Sequence, residues 1–119
     1  SRATIPPSAT VGEAATLLDD IRRLANEGKS AEAKVACEQY LKRYEPVARV
    51  FYWLGLLSEV GGDVAGAQGF YRKALYLEPQ HPETLAQLAA LLAAQGDLAG
   101  ARRLQERAAR GVNKKGRNR

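Results

Sequence analysis

The sequence predicts an all-α fold made of three consecutive helical hairpins. One reason is an internal repeat: Gly28, Gly62 and Gly96 are spaced 34 residues apart, and such a period is typical of stacked helical hairpins. A second is composition, since alanine, leucine and charged residues dominate while aromatic residues make up only 7%, which favours helix. The third is the recurrence of apolar residues at intervals of three and four along each candidate segment.

The repeat divides the chain into six predicted helices, at about 12–27, 30–44, 47–60, 64–77, 82–95 and 98–111. Each repeated glycine is expected to end the first helix of a hairpin, because a left-handed backbone conformation costs little without a Cβ atom. Asp63 and Asp97 follow two of these glycines and are predicted to cap the second helices. Lys29 stands at that place in the first hairpin, so Ser30 is the predicted cap there.

Small residues and prolines mark the remaining contacts and ends of the hairpins. A small residue lies five positions after each glycine, where it lets the two helices approach closely: Ala33, Ala67 and Ala101. Pro46 and Pro79 are expected to end second helices, because the residue before a proline resists helical angles. Pro82 suits the first turn of the fifth helix, where its missing N–H costs nothing.

The middle hairpin resembles the tetratricopeptide repeat (TPR) family at nearly every defining position. The matching residues are Phe51, Leu54, Gly55, Gly62, Asp63, Ala67, Tyr71, Ala74, Leu75 and Pro79. The resemblance implies a right-handed α-solenoid of three TPR helix-turn-helix hairpins, at about 14–47, 48–81 and 82–111. The first hairpin departs from the pattern with Asp20 and Ile21 where Leu-Gly is usual, and the third carries Gln105 in place of an aromatic residue.

The two ends of the chain differ in composition from the repeats. Residues 1–11 combine two prolines with several serines and threonines and are predicted to be a linker. Residues 12–111 form the predicted three-repeat TPR domain, and residues 112–119 are a basic tail that is expected to be disordered. Because the chain contains no methionine, we expect it to be a piece of a longer protein.

The sequence offers no constellation for catalysis, cofactor binding or metal binding. Cys37 and His81 are the only cysteine and the only histidine, so neither a nucleophile–base pair nor a cluster of metal ligands can be assembled from them. Core packing is favoured over a reactive thiol for Cys37, and a structural or solvated role is favoured over a ligand role for His81. We therefore expect a binding module rather than an enzyme.

The TPR resemblance also implies where a partner would bind, because the first helices of such hairpins line a concave groove that commonly takes a peptide or helix. The groove positions carried over to this sequence are Arg22, Asn26, Arg49, Tyr52, Trp53, Leu56, Glu59, Glu83 and Gln87. Tyr52 and Trp53 form a candidate anchor, since Trp, Tyr and Arg dominate the energetics of many interfaces. The alternative, that Trp53 packs between neighbouring repeats, is equally favoured.

A narrower resemblance covers about residues 14–110. Three stretches resemble the C-terminal TPR segment of CheR-type chemoreceptor methyltransferases: YWLGLLSEVGGD, YRKALYLEPQHPETLAQLAALL and GDLAGARRLQERAAR. The resemblance implies a parent enzyme that methylates receptor glutamates with S-adenosylmethionine in bacterial chemosensory or biofilm signalling. Its TPR domain would dock a chemoreceptor, a signalling partner or the parent's own catalytic domain. The alternatives are a general TPR scaffold of an unrelated assembly, and a module that uses its basic C-terminal end on nucleic acid or lipid.

Positive charge is concentrated towards the C-terminal end. Residues 61–119 account for the whole net charge of +5, because they carry ten basic and five acidic side chains. The basic tail lacks aromatic residues that could stack on bases, so a solvated tail is favoured over a nucleic-acid site.

The lone cysteine suits a reducing compartment and indicates the cytoplasm, and no apolar run is long enough to span a membrane. Three repeats are about the minimum for a stable array, which leaves self-association open.

Overall fold

A computed structural model of the chain describes residues 7–117, with side chains described from 11 to 113. Six helices follow one another in this part of the chain: α1 (Pro7–Asn26), α2 (Ser30–Arg43), α3 (Ala48–Val60), α4 (Val64–Leu77), α5 (Pro82–Ala94) and α6 (Leu98–Arg117). They pair as α1 with α2, α3 with α4, and α5 with α6. The predicted all-α fold of three helical hairpins is confirmed.

The same turn reverses the chain in all three hairpins. Gly28, Gly62 and Gly96 adopt positive φ angles of 76°, 81° and 90°, which an L side chain would strain. The N–H of the residue after each glycine then donates to the carbonyl oxygen five residues earlier, at 2.8 to 2.9 Å. This bond satisfies a carbonyl that would otherwise be orphaned at the end of the first helix.

The start of the second helix is capped in two of the three hairpins as predicted. A carboxylate oxygen of Asp63 accepts the backbone N–H of Gly66 at 2.9 Å, and Asp97 accepts that of Gly100 at 2.8 Å. The prediction that Ser30 caps α2 is wrong, because the N-cap residue is Lys29 and no side chain caps that end. Ser30 is already the first helical residue, one position past the place from which a hydroxyl reaches the third N–H of a helix.

Two helices extend beyond their predicted ends. α1 begins at Pro7 rather than near residue 12, and a proline fits there because its missing N–H is not needed in the first turn. α6 continues to Arg117, so the predicted disorder is corrected to helix for residues 112–117.

The division into linker, repeats and tail stays a prediction. Residues 1–6 of the predicted linker and residues 118–119 of the predicted tail lie outside the described residues.

The buried side chains form two clusters along the array. We call the first the N-terminal cluster; it is built on α1, α2 and α3 and includes Ile21, Cys37 and Val50. The C-terminal cluster is built on α4, α5 and α6 and includes Tyr71, Leu85 and Leu88. The Cα radius of gyration is 15.8 Å, larger than the about 13 Å expected for a compact domain of this length. An elongated stack of hairpins accounts for the difference.

One close contact between α3 and α4 depends on a residue without a side chain. A Cβ atom on Gly55 would lie 2.2 to 2.8 Å from ring atoms of Tyr71, far inside van der Waals contact. Tyr71 is fully buried, so its ring has no free space into which it could move. Gly69 in α4 differs, because a Cβ atom there would meet nothing within 4 Å.

We expect Gly55→Ala and Gly69→Ala to change stability in opposite directions. Overpacking against Tyr71 should lower the free energy of unfolding by about 1–2 kcal/mol after the gain in helix propensity. Gly69→Ala should raise it by roughly 0.5–1 kcal/mol, because alanine loses less conformational entropy in a helix. Urea unfolding followed by circular dichroism measures both values. Two shifts of the same sign would contradict the contact between Gly55 and Tyr71.

Candidate protein-interaction surface

The first helices of the three hairpins lie side by side. α3 packs directly against α1. It also reaches α5, since the Gln87 amide donates to the Glu59 carboxylate at 3.1 Å and the rings of Tyr52 and His81 lie 5.7 Å apart. We call the surface that α1, α3 and α5 present the first-helix face.

The predicted groove residues fall into an exposed set and a half-buried set. The exposed residues are Arg22, Asn26, Arg49 and Glu83. The half-buried residues are Tyr52, Trp53, Leu56, Glu59 and Gln87. The half-buried members on α3 and α5 contact one another or a core cluster.

Each of the two arginines in the exposed set interacts with a group outside the aromatic pair. The Arg22 guanidinium lies 3.5 Å from the Asp19 carboxylate on its own helix. Burial raises the pKa of the Tyr40 phenol in α2, and the charge of Arg49 opposes that rise. The sequence-based grouping of Arg22 and Arg49 with the aromatic anchor therefore stays a prediction.

Glu59 joins three helices through one carboxylate. It accepts the Tyr71 hydroxyl of α4 and the Gln87 amide of α5. Burial raises the pKa of Tyr71 far above its ordinary value, and the hydrogen bond to Glu59 and the charge of Glu59 raise it further. The phenol therefore stays protonated and keeps donating to the carboxylate. This junction fixes the relative positions of α3, α4 and α5 beneath the first-helix face.

The two adjacent aromatic residues of α3 pack in opposite directions along the array. Tyr52 packs against the C-terminal cluster, and Trp53 packs against the N-terminal cluster. Their ring centroids are 5.5 Å apart. The Trp53 Nε1 atom is buried without a hydrogen-bond partner among the described residues. This arrangement favours the packing interpretation of Trp53, because a partner could reach its indole nitrogen only after rearrangement of the neighbouring side chains.

His81 has a structural role, which the sequence favoured over a ligand role, and the structure identifies it as a helix cap, which the sequence did not reveal. It is the N-cap of α5, where its Nδ1 atom accepts the backbone N–H of Thr84 at 3.3 Å and lies 2.6 Å from the Thr84 hydroxyl. Its Nε2 atom lies 3.5 Å from the Glu83 carboxylate. Histidine is not among the usual capping residues, so the proline that follows it was the one available signal of a helix start.

Cys37 lies in the core. Its side chain is fully buried in the N-terminal cluster, and burial, with a smaller contribution from the charge of Glu38, raises the pKa of the thiol to about 12. The predicted core-packing role is confirmed. Within residues described by the structure, no group of three or more His, Cys, Asp or Glu side chains is placed to hold a metal ion. No helix in the same part of the chain is long and apolar enough to cross a membrane.

Comparison with known proteins supports the repeat assignment. A family model described as a tetratricopeptide repeat matches residues 70–103, which run from the middle of α4 through α5 into the first half of α6.

Two curated relatives resemble most of the chain. It is 64% identical over 111 residues to the "Probable biofilm formation methyltransferase WspC" of Pseudomonas aeruginosa, a match that covers 93% of this chain and 25% of that protein. It is 67% identical over 97 residues to the protein of the same name from Pseudomonas putida, covering 82% of this chain and 23% of that one. The chain therefore spans about a quarter of the length of these relatives, and the predicted resemblance to TPR and methyltransferase sequences is confirmed.

We expect the bond between Tyr71 and Glu59 to contribute measurably to stability. Glu59→Ala leaves the buried Tyr71 hydroxyl without an acceptor, which should lower the free energy of unfolding by about 1–3 kcal/mol. In a Tyr71→Phe background, Glu59→Ala should lower the free energy of unfolding by about 1 kcal/mol less, because the hydroxyl is already absent. The double-mutant cycle is measured by urea unfolding.

Tyr76→Phe is the matched control, since the Tyr76 ring is 86% exposed on α4. Its cycle with Glu59→Ala should show no coupling. Coupling of equal size in both cycles would contradict a specific bond between Tyr71 and Glu59.

We expect Cys37 to be unreactive in the folded protein. At pH 8 the thiol is protonated, because its pKa of about 12 lies well above that pH, and the thiolate is the reactive form. Ellman's reagent should therefore titrate the thiol fully in denaturant and hardly at all without it. Rapid labelling of the native protein would contradict the burial of Cys37.

Proposed function

We propose that this chain, a tetratricopeptide repeat domain, is the protein-binding module of an S-adenosylmethionine-dependent chemoreceptor glutamate methyltransferase in a bacterial chemosensory or biofilm pathway. The observation that carries the proposal is the identity of 64% and 67% with two proteins named as biofilm formation methyltransferases. Identity at this level over most of the chain supports the same role for this domain in a parent protein of the same kind. Methyl transfer itself would be performed by a part of the parent that this chain does not include.

The first-helix face is the proposed docking surface for the partner. Its exposed polar side chains, Arg22, Asn26 and Glu83, stand above a floor of half-buried residues that α3 and α5 hold in place. TPR arrays commonly take a peptide or a helix on this side. The proposed partner is a chemoreceptor, a signalling protein of the same pathway, or the catalytic domain of the parent, and the proposed compartment is the cytoplasm.

The structure changes which substitutions best test this surface. Removal of Tyr52 and Trp53 would remove side chains that pack against both core clusters, so a loss of binding could follow from a loss of stability. Arg22 and Glu83 are exposed at the two ends of the face. Reversal of both charges leaves the net charge of the chain unchanged and removes little buried surface.

We expect Arg22→Glu with Glu83→Lys to reduce partner binding by roughly tenfold or more, as reversal of charges that a partner complements commonly does. The full chain is immobilised and exposed to a purified chemoreceptor cytoplasmic fragment and to the purified catalytic part of the parent, with affinity measured by surface plasmon resonance. Circular dichroism checks that the variant is folded.

Glu32→Lys with Lys34→Glu provides the control, because both residues are exposed on α2 and the net charge is again unchanged. The control should bind like the unmodified chain. Binding to neither protein would refute the proposed function. Equal losses in the test and control variants would refute the first-helix face as the docking surface.

A further inference from the structure

Four arginines converge on a groove between α4 and α6, away from the first-helix face. Arg72 comes from α4, and the others come from α6; the set is Arg72, Arg103, Arg107 and Arg110. Leu92 and Leu104 also line this groove and give it an apolar floor. We call it the arginine groove.

The spacing along α6 places three of the guanidiniums on one side of the helix. Arg103, Arg107 and Arg110 are separated by four and three residues, so they share a face. Arg103 and Arg110 stand two turns apart, about 10 Å along the helix axis. Arg107 has a structural role, since its Nε and Nη2 atoms donate to the Pro79 carbonyl at 2.9 and 2.6 Å. It anchors α6 to the turn before α5 and adds positive charge to the groove.

The positive charge of the groove is not neutralised by the side chains around it. Arg72, Arg103 and Arg110 form no ion pair among the described residues. Two carboxylates line the groove, Asp97 and Glu106. Asp97 is occupied by the backbone N–H of Gly100 at 2.8 Å. Among the described residues that line the groove, four guanidiniums against two carboxylates leave a surplus of two positive charges above the leucine floor.

We propose that the arginine groove binds an acidic, amphipathic segment of a protein partner. The carboxylates of this segment would pair with Arg72, Arg103 and Arg110, because a guanidinium group can donate two parallel hydrogen bonds to one carboxylate. An apolar side chain between the carboxylates would lie on Leu92 and Leu104. Carboxylates seven residues apart on a helix have the spacing that separates Arg103 from Arg110.

The chemistry of the groove favours an acidic peptide over a nucleic acid. Among the described residues no aromatic side chain lines it, so bases would have nothing to stack on. Asp97 and Glu106 would repel a continuous phosphate backbone, whereas a peptide carries its charges at separate positions that can avoid them. The four arginines of the site lie on the second helices α4 and α6, so the arginine groove is a binding surface additional to the first-helix face and does not depend on the function proposed for that face.

The test uses the full chain and a fluorescein-labelled helical peptide with glutamates at seven-residue intervals and leucines between them. Fluorescence anisotropy should show binding that weakens as salt is raised. Replacement of the glutamates in the peptide by glutamine should weaken binding by roughly tenfold or more, since each charge-assisted bond contributes about that factor. Arg72→Glu with Arg103→Glu in the protein should do the same.

Lys34→Glu with Arg102→Glu is the matched control, because it changes the net charge equally at two exposed positions outside the groove. It should retain most of the affinity, and circular dichroism should show unchanged helicity in both double variants. The proposal is overturned if the acidic peptide does not bind, or if the control loses as much affinity as the groove variant. Tighter binding of a labelled DNA duplex than of the acidic peptide would also overturn it and would favour a nucleic-acid site.

Discussion

The array depends on one residue in each hairpin that forms backbone hydrogen bonds with both helices. The N–H of Lys29, Asp63 or Asp97 closes the end of the first helix, and the carbonyl of the same residue accepts the N–H of Ala33, Ala67 or Ala101 in the second. This pair of hydrogen bonds requires the preceding glycine to adopt the left-handed backbone conformation. It also brings the two helices together at the alanine, which is buried in every hairpin. The geometry of each hairpin therefore follows from three or four residues around its turn.

Above these turns, the packing of α3 determines how neighbouring hairpins meet. Gly55 admits the Tyr71 ring, and the Tyr71 hydroxyl reaches Glu59, which also binds Gln87 of the next hairpin. A contact inside one hairpin is thereby linked to the contact between hairpins. The first-helix face has a floor whose side chains are already positioned, so a partner would bind there with little further loss of conformational entropy.

The repeat made the fold predictable, because glycine, proline and small residues mark local backbone requirements that recur every 34 residues. The wrong prediction of Ser30 as a cap shows what local sequence cannot decide, because the N-cap and the first helical residue are only one position apart. The capping role of His81 and the bond from Tyr71 to Glu59 depend on side-chain orientation. The arginine groove combines Arg72 with α6 residues more than thirty positions away. The sequence showed the excess of positive charge but not that it converges on one surface.

The opposite packing of Tyr52 and Trp53 has a consequence for how the domain unfolds. Because α3 contributes to both core clusters, loss of order at either end of the array would weaken the contacts of the same helix. Stability in stacked repeats is approximately the sum of the stabilities of the units and of the interfaces between neighbours, and here two consecutive side chains, Tyr52 and Trp53, pack on different neighbours. Unfolding of either terminal hairpin would thus remove packing from α3, so that the free energies of unfolding of the three hairpins are coupled through this one helix.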